Sequence, residues 1–303
     1  MLTAPLPSFH AQGQIRRMSS TRRDFLASLG GVALGTLALG RVRPLAAAET
    51  RAAAEANGIQ LYTLRTLMAK DPDGTIARVA EIGYREVEFA GYFGRTPAQV
   101  RGILSANHLT SPSTHTSLPS SDDMWARTLD QAAETGHQWV VIAWLDEPQR
   151  SSAADWPRLA DRFNQLGAAA KDKGLRLAYH NHDFEFMPVG DATGLDVLLS
   201  RTEPALVDFE MDIYWVVKGA HDPLDLIKRY PHRFPLIHAK DATAAPERAM
   251  TDVGTGTIDF KTIFENAGMS GMQHVYVEHD SPPGDPLESA RVSFRNLAAL
   301  RTR

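Results

Sequence analysis

Cysteine is absent from this sequence of 303 residues. The chain therefore cannot form a disulfide bond, bind a metal ion through thiolates or use a thiol nucleophile, although its redox compartment stays open. Hydrophobic residues make up 43% of the chain, which at this length is enough to build a substantial core. Any metal site must use nitrogen and oxygen ligands, and such ligands favour a harder divalent ion.

A glycine-rich loop after the first predicted strand is also missing. A doubly wound nucleotide-binding sheet uses such a loop to bring its backbone close to a phosphate group, but residues 64–67 read Leu-Arg-Thr-Leu. Gly254 and Gly256 form a close glycine pair in the later half of the chain, and they follow no predicted strand. The sequence therefore disfavours a dinucleotide-binding fold.

A hydrophobic run long enough to span a bilayer is missing as well. The run at 25–40 is uncharged and weakly apolar, and it is too short to span a membrane comfortably. Arg22 and Arg23 precede it, and three alanines at 46–48 follow it. This order of a basic region, an apolar region and small residues is typical of an export signal with a cleavage site.

The stretch STRRDFL at 20–26 resembles the twin-arginine motif, whose export machinery carries folded proteins. We therefore interpret residues 1–48 as an export signal, 49–57 as a linker and 58–303 as a single folded domain. We expect this domain to work in the periplasm without a stable membrane span. A retained N-terminal membrane anchor is the alternative.

Removal of residues 1–48 makes the chain more acidic. These residues contain six arginines and one aspartate, so the remainder has 26 basic and 35 acidic residues and a net charge of −9. An acidic surface repels phosphate backbones, so we expect no nucleic-acid partner.

Eight short apolar runs alternate with amphipathic stretches along the rest of the chain. The runs predict strands at 59–63, 86–89, 108–115, 139–144, 175–180, 205–212, 235–240 and 275–278. The stretches between them predict helices at 75–82, 96–106, 124–135, 156–173, 193–200, 223–229, 260–266 and 286–300. Gly136 and Gly268 each follow a predicted helix, where a left-handed residue commonly ends it. Eight strand–helix units of about 30 residues predict a (β/α)8 TIM barrel, a single-domain α/β fold.

Titratable residues stand at the ends of the predicted strands. In strand order they are His115, His180 with His182, Glu210 with Asp212, His238 with Lys240, and Glu278. Active sites of such barrels lie at the C-terminal strand ends, and residues two apart on a strand share a face. Asp212, His238 and Glu278 thus form a set of oxygen and nitrogen ligands on three adjacent strands. We predict that they hold one divalent ion, which could be Mn²⁺, Co²⁺, Mg²⁺, Fe²⁺ or Zn²⁺.

Seven short motifs, in order and at barrel spacing, resemble the xylose isomerase-like TIM barrel superfamily, the sugar phosphate isomerase/epimerase group. They are IQLYTLR at 59–65, GYREVEF at 83–89, YHNHDFEF at 179–186, MDIYW at 211–215, HAKD at 238–241, VGTGTIDF at 253–260 and VEHD at 277–280. The resemblance covers about residues 57–300. It is specific for the superfamily but not for one reaction.

The resemblance implies a four-residue metal site. In the better-known epimerases of this group, a Glu, an Asp, a His and a Glu from strands five to eight hold one metal ion. Asp212, His238 and Glu278 match three of these positions, but the strand-five glutamate falls on His180. We expect His180 to be the fourth ligand, with Glu185 from the following loop as the alternative. A histidine at this position puts the paired-carboxylate proton transfer of those epimerases in doubt.

The DNA-repair members of the same superfamily hold a cluster of several metal ions with extra histidines. Trp215 stands where a second strand-six ligand would be expected, and the mature chain is acidic. We therefore do not expect DNA-repair activity.

The reaction that fits these residues is abstraction of a proton next to a sugar carbonyl, through an enediolate. His182, Glu185 and His115 are the candidate bases. Lys240 would neutralise a developing oxyanion or hold a substrate hydroxyl, unless it is tied up in a salt bridge with Asp241 or Glu210.

Three further residues are predicted to contact the substrate. Tyr62 and Trp215 could form an apolar wall for a sugar face, although plain core packing is the alternative for both. Glu88, at the end of the second predicted strand, is also assigned to substrate binding.

The fate of the enediolate decides the reaction class. Reprotonation gives isomerisation or epimerisation, whereas loss of a β-substituent gives a dehydratase or a keto-glycoside lyase, as in the inosose dehydratases and keto-glycoside lyases of this superfamily. Export and the lack of a phosphate loop favour an unphosphorylated sugar, keto-sugar or glycoside as the substrate. A non-catalytic periplasmic sugar-binding barrel is the alternative of a different class, and a metal-dependent hydrolase is a further one. A homo-oligomer is possible.

Overall fold

The computed structural model describes residues 57–301 of the chain. Eight parallel strands form its central sheet: β1 Asn57–Gln60, β2 Glu86–Glu88, β3 Ser113–Thr116, β4 Trp139–Ile142, β5 Arg176–His180, β6 Val207–Asp212, β7 Leu236–Ala239 and β8 His274–Val277. Neighbouring strands follow the order β2-β1-β8-β7-β6-β5-β4-β3. Isolated bridges from Glu86 to Thr110 and from Phe89 to Thr114 join the two edges, so the barrel is nearly closed. The predicted TIM barrel is confirmed.

Eleven helices follow or surround the strands in the described part of the chain. They are α1 Arg65–Met68, α2 Pro72–Ile82, α3 Pro97–Ala106, α4 Asp122–Thr135, α5 Asp155–Asp172, α6 Gly194–Arg201, α7 Ile213–Lys218, α8 Pro223–Arg229, α9 Phe260–Glu265, α10 Ala267–Ser270 and α11 Pro286–Arg301. Their starts follow local chemistry: the Thr96 side chain accepts from Gln99 N, with proline at the first helical position of α3. None of these helices is long and apolar enough to cross a membrane.

Three local predictions can be compared with the structure. The third strand begins at Ser113 and not at 108, because His108 has a positive φ of 54° that takes it out of an extended run. Gly268 lies within α10, and Gly271, with φ of 79°, ends that helix instead. Gly136 does adopt the left-handed conformation expected at the end of α4.

Helix α7 had no sequence signal of its own, because its six residues follow β6 without a loop. The Asp212 carboxylate caps it by accepting from Trp215 N at 3.0 Å. Asp212 is therefore fixed both by the sheet and by the helix that it starts. The predicted export signal lies outside the described residues, as does all but the last residue of the predicted linker.

The inside of the barrel is layered. Five mainly apolar side chains form its middle: Trp139, Val141, Ala178, Leu236 and Tyr276. A larger apolar cluster packs the outside of the sheet against the helices. Polar side chains point into the barrel on both sides of the middle layer, and the group at the C-terminal strand ends borders the main cavity.

Candidate active site

A cavity of about 710 Å³ opens at the C-terminal ends of the strands, where barrel active sites lie. Seven residues predicted from the sequence line it: Tyr62, His115, His180, His182, Trp215, Lys240 and Glu278. Asp212 and His238 are fully buried directly beneath these residues. Strand register explains the convergence, because His180 pairs with Glu210 and Asp212 pairs with His238 across neighbouring strands.

Four buried side chains form a group that could hold a metal ion. One ligand atom from each of His180, Asp212, His238 and Glu278 lies within 4.8 Å of the others. We call these four residues the ligand set. Glu185 is not part of it, so the structure brings His180 rather than Glu185 to the position of the fourth ligand.

The chemistry of the ligand set fits a divalent ion. Asp212 Oδ2 is buried and makes no hydrogen bond within the described part of the chain. Lys240 Nζ lies 3.0 Å from this oxygen, which is an ion-pair distance, but its direction completes no hydrogen bond. Two imidazoles and two carboxylates without thiolates suit the harder divalent ions and zinc. The structure therefore contains a buried cluster that could hold a metal ion.

The electrostatics of the ligand set favour binding. Burial and the neighbouring cationic groups lower the pKa of His180 well below its usual value, so its ring is neutral and available as a ligand. Burial raises the pKa of Asp212 to about 6, despite the nearby Lys240. Burial acts in the same direction on Glu278, but Lys240 and His238 outweigh it and hold the pKa of Glu278 below its usual value. Both carboxylates are therefore mainly ionised at neutral pH.

Lys240 is a fixed cation at the floor of the cavity. It is 1% exposed, and its Nζ lies 2.8 Å from Glu278 Oε2 and 2.8 Å from Asp280 Oδ1. Burial would lower the pKa of Lys240, but Asp212, Glu278 and Asp280 raise it well above the usual value. The sequence offered Asp241 or Glu210 as salt-bridge partners, whereas the structure pairs Lys240 with other carboxylates. Its ammonium still lines the cavity, where a substrate oxygen can reach it.

A pair of buried glutamates lies beneath the ligand set. Glu88 and Glu210, which we call the carboxylate pair, are both completely buried. His115 Nε2 lies between them, 3.1 Å from Glu88 Oε2 and 2.6 Å from Glu210 Oε2. Burial would lower the pKa of His115, but the two glutamates raise it to about 10. His115 is therefore protonated at neutral pH and suited to donate a proton, not to accept one.

Glu88 does not line the cavity. Its Oε2 accepts from Gln60 Nε2 at 2.8 Å and lies 2.7 Å from His238 Nε2. Glu88 is thus buried beneath the cavity floor, and its assignment to substrate binding stays a prediction. Glu88 lies on the inner face of β2, where it contacts His238 instead of the cavity.

His182 combines access to the cavity with an unused nitrogen. Its buried Nδ1 has no hydrogen-bond partner among the described residues, and the ring lines the cavity. Burial, together with the Lys240 charge, lowers the pKa of His182 well below its usual value. Of the three candidate bases, His182 alone is both neutral and in contact with the cavity.

Glu185, the remaining candidate base, holds the turn that carries His182. It is completely buried, accepts from His182 N at 2.8 Å and forms a short hydrogen bond with the Tyr179 hydroxyl. Burial raises the pKa of Glu185 to about 7, even though these donors oppose the shift. Glu185 does not line the cavity.

The rings of His182, Trp215 and Trp144 lie between the ligand set and the cavity mouth, and we call them the aromatic wall. The His182 ring centroid lies 4.9 Å from that of His180, 5.3 Å from that of Trp215 and 4.6 Å from that of Trp144. Trp144 is 45% exposed, and Tyr62, which also lines the cavity, is 42% exposed. Exposed aromatic rings at a cavity mouth are typical of a surface that binds an apolar ligand face.

Sequence reasoning missed Trp144. It ended the fourth predicted strand but is not titratable, so a search for acids, bases and ligands passed over it. The available signal was a large aromatic residue at the C-terminal end of a barrel strand.

The loop with Gly254 and Gly256 is occupied by a side chain of this chain. Asp241 Oδ2 accepts from Gly254 N at 2.9 Å and from Gly256 N at 3.0 Å. Asp241 Oδ1 accepts from Ile258 N at 3.2 Å. Because a carboxylate already satisfies these amides, the loop cannot serve as a phosphate cradle.

Comparisons with known proteins agree with this geometry. The family model described as xylose isomerase-like TIM barrel matches residues 76–300. An inosose dehydratase from Lacticaseibacillus casei is 26% identical over 258 residues, which cover 72% of this chain and 85% of that protein.

Solved structures agree as well. A sugar phosphate isomerase/epimerase from Parabacteroides distasonis superposes with a TM-score of 0.69 at 26% identity, covering 81% of this chain and 94% of that one. A structure of the IOLI protein with a zinc atom superposes with a TM-score of 0.63 at 13% identity, covering 81% and 97%, and it shows the shared fold.

These relatives carry the names of enzymes, and this protein is an enzyme of the same isomerase, epimerase or lyase kind. The comparisons give no support to the alternative of a non-catalytic sugar-binding barrel. The family model matches most of the described barrel, including every strand end that carries a member of the ligand set. The chain belongs to the xylose isomerase-like TIM barrel family.

Proposed function

We propose that this enzyme removes a proton next to the carbonyl of an unphosphorylated sugar or glycoside, with the help of one divalent ion. The observation that carries the proposal is the cavity floor, where the ligand set adjoins a fixed ammonium and a histidine nitrogen that has no partner among the described residues. When bound there, a divalent ion would act as a Lewis acid toward the carbonyl oxygen and a neighbouring hydroxyl.

His182 is the proposed base. Its neutral ring faces the cavity, and the hydrogen bond from its backbone to Glu185 fixes the turn that carries it. As His182 takes the α-proton, the electron pair of the C–H bond moves toward the carbonyl oxygen and an enediolate forms. Lys240 stabilises the negative charge that develops on that oxygen, because its ammonium is held in place before the reaction begins.

Return of the proton to the same carbon, or to its neighbour, gives epimerisation or isomerisation. His115 and Lys240 are both protonated and line the same cavity, so either can donate a proton to the substrate. The proton donor would then differ chemically from the base, whereas the better-known epimerases of this superfamily use two carboxylates for these two roles.

Elimination is the second candidate function. Two observations favour it. His180 stands where the better-known epimerases have one of their two catalytic carboxylates, and protonated groups are available to protonate a leaving group. The relatives named inosose dehydratase support it further. In this reaction the enediolate expels a β-hydroxyl or an aglycone, and the cavity of about 710 Å³ has room for more than one sugar ring.

The occupied Gly254/Gly256 loop supports an unphosphorylated substrate, because its amides are satisfied by Asp241. The proposed periplasmic location agrees with this substrate class. Replacing Arg22 and Arg23 with lysine should keep the chain in the cytoplasm, which fractionation of cells would detect. An unchanged distribution would contradict twin-arginine export.

One experiment separates the reactions. The Mn²⁺-loaded protein is incubated in D₂O with 3-keto-glucosides and, separately, with free ketohexoses. Deuterium uptake at the α-carbon without loss of the aglycone indicates an epimerase or isomerase, and release of the aglycone indicates a lyase. If neither product appears with either substrate class, the proposed reaction is wrong.

A matched pair of variants tests the base. His182→Asn should slow deuterium uptake by at least about 100-fold, the lower limit expected for a general base, while metal affinity is retained. His108→Asn is the control, because His108 is exposed and its positive φ suits asparagine. Equal rates for the two variants would exclude His182 as the base.

A further inference from the structure

The two histidines of the ligand set turn different nitrogens toward it. His180 Nε2 lies 3.6 Å from Asp212 Oδ2, and its other nitrogen, Nδ1, lies 3.0 Å from Glu210 Oε2. The ring therefore bridges a ligand above it and a carboxylate below it.

His238 has the opposite arrangement. Its Nδ1 lies 2.7 Å from Glu278 Oε2, while its Nε2 lies 2.7 Å from Glu88 Oε2 and 3.1 Å from Glu210 Oε2. The same carboxylate pair thus receives the lower nitrogen of both rings, although the two nitrogens differ in type.

The carboxylate pair is buried among three histidine rings, because His115 also lies within 3.1 Å of Glu88 Oε2 and 2.6 Å of Glu210 Oε2. Glu88 Oε1 and Glu210 Oε1 are buried without a hydrogen-bond partner among the described residues. Each Oε2 instead faces histidine nitrogens, apart from the Gln60 amide on Glu88. Burying a glutamate with one unsatisfied oxygen costs free energy. The only polar partners of Glu88 and Glu210 among the described residues are histidine rings and the Gln60 side-chain amide.

We propose that Glu88 and Glu210 are positioning residues that orient the two histidines, so that His180 binds the ion through Nε2 and His238 through Nδ1. A histidine that binds a metal through one nitrogen carries a proton on the other, and a carboxylate that accepts this proton fixes both the ring and its basicity. This inference rests on the proposed metal site but not on the proposed reaction.

A second metal ion is the competing use of the lower residues. His115, His180, Glu210 and His238 also bring one ligand atom each within 4.8 Å. That group shares His180 and His238 with the ligand set. Two ions would then need both nitrogens of both rings, which would leave neither ring with the N–H that the carboxylate pair accepts. The geometry therefore favours one ion above and two hydrogen-bond acceptors below.

Histidine nitrogen NMR tests the assignment directly. The protein, with ¹⁵N-labelled histidine, is titrated with Zn²⁺ alone, and long-range ¹H–¹⁵N correlations identify the protonated nitrogen of each ring. We expect one Zn²⁺ per chain, with the proton on Nδ1 of His180 and on Nε2 of His238. Two ions per chain, or the same tautomer for both rings, would overturn the inference. If the wild-type protein does not bind Zn²⁺, the metal site itself is wrong.

Variants of the carboxylate pair test its effect on affinity. Glu210→Gln keeps the shape of the side chain but removes its charge, and it should weaken Zn²⁺ binding by about 10–100-fold. Glu88→Gln should weaken it as well, and this variant serves if Glu210→Gln does not fold. Asp208→Asn is the control, since Asp208 is a buried carboxylate at the other end of β6. Unchanged Zn²⁺ affinity in a folded Glu210→Gln or Glu88→Gln protein would contradict the proposal, because a merely structural role would change only the melting temperature.

Discussion

Two polar clusters lie inside the same barrel, on opposite sides of its apolar middle layer, and they differ in how completely their atoms are paired. The lower cluster, at the N-terminal strand ends, consists of Glu86, Arg176, Asp208 and His274, together with the indole N–H of Trp139, whose ring belongs to the middle layer. Asp208 accepts from Trp139 Nε1 at 2.8 Å and from Arg176 Nη2 at 2.7 Å. Glu86 Oε2 lies 2.9 Å from His274 Nδ1. No side-chain atom of these five residues is buried without a hydrogen bond in the described part of the chain.

The upper cluster consists of the ligand set, the carboxylate pair, His115, His182 and Lys240. Seven buried side-chain atoms of the described residues lack a hydrogen bond, and six of them belong to residues at or just after the C-terminal strand ends. Within the upper cluster they are Glu88 Oε1, His182 Nδ1, Glu210 Oε1 and Asp212 Oδ2. Unpaired buried polar atoms cost free energy unless another group pairs with them.

The completeness of hydrogen bonding thus distinguishes the lower cluster, which is a structural polar core, from the upper cluster, which is a candidate site. Each carboxylate of the lower cluster has a cationic or ring N–H partner, so the lower cluster is complete without a ligand. The upper cluster also contains Asp, Glu and His, but among the described residues it leaves carboxylate oxygens and one histidine nitrogen without hydrogen-bond partners. An ion or a substrate would complete it.

The largest expected difference is in Zn²⁺ affinity, when one carboxylate charge is removed from the upper or from the lower cluster. Asp212→Asn keeps the cap of α7, because Oδ1 still accepts from Trp215 N. It should reduce Zn²⁺ affinity by more than the roughly 100-fold that loss of a ligand's hydrogen-bond partner can cause. Asp208→Asn should leave Zn²⁺ affinity unchanged but lower the free energy of unfolding by about 1–3 kcal/mol. Isothermal titration calorimetry and urea unfolding measure both, and equal metal affinities would remove the distinction between the clusters.

Glu185 should make the free energy of unfolding depend on pH. The pKa of this carboxyl rises to about 7 in the folded protein from 4.5, so the folded state holds a proton that the unfolded state has lost between these values. Its contribution to stability is therefore complete below pH 4.5 and is lost as the pH rises toward 7. The loss amounts to about 3.5 kcal/mol at about 1.4 kcal/mol per pH unit.

Glu185→Gln should remove this dependence. Urea unfolding of the wild-type and variant proteins at several values between pH 4.5 and 7.5 gives the difference in free energy, which should change steadily over the range. A constant difference would show that the carboxyl of Glu185 is not titrating there.

Metal addition should stabilise the protein through the upper cluster alone. Zn²⁺ at 100 times its dissociation constant adds about 2.7 kcal/mol, which corresponds to about 5–10 °C in the melting temperature of a domain of this size. The shift should persist in Asp208→Asn and vanish in Asp212→Asn at the same Zn²⁺ concentration. A shift that survives in Asp212→Asn would point to a metal site elsewhere.

The smallest expected effect concerns the aromatic wall above the upper cluster. Trp144→Ala should raise the KM for a glycoside by about 2–10-fold and change kcat little, because the exposed ring contributes contact area rather than chemistry. Met269→Ala is the control, since Met269 is 42% exposed and lies just before β8, away from the cavity. Equal KM values for both variants would show that the wall does not bind the substrate.

The strand ends were predictable because the information is local. Alternation along β5, β6 and β7 identified His180, Asp212 and His238 as residues on the inner face, and the barrel rule placed all strand ends at one mouth. The register then brought Asp212 directly beside His238.

Depth within the barrel was not predictable from the same pattern. Glu88 ends β2 and Glu278 directly follows β8, yet Glu88 lies beneath the ligand set and Glu278 lines the cavity. The stagger of strands around a barrel decides this depth, and it depends on long-range pairing. The partners of Lys240 and the capture of the Gly254 amide by Asp241 depend on loop paths in the same way.

The fold class and the set of titratable residues at the mouth of the barrel follow from the amino-acid sequence alone. The hydrophobic period of each strand and the titratable residues at its end are both local features of the sequence. Which nitrogen of each histidine faces the ligand set emerges only in the folded barrel, as does the contact between Glu88 and His238 from 150 residues away. Such pairings depend on strand register and closure, which join distant parts of the chain and leave no periodic trace in the sequence.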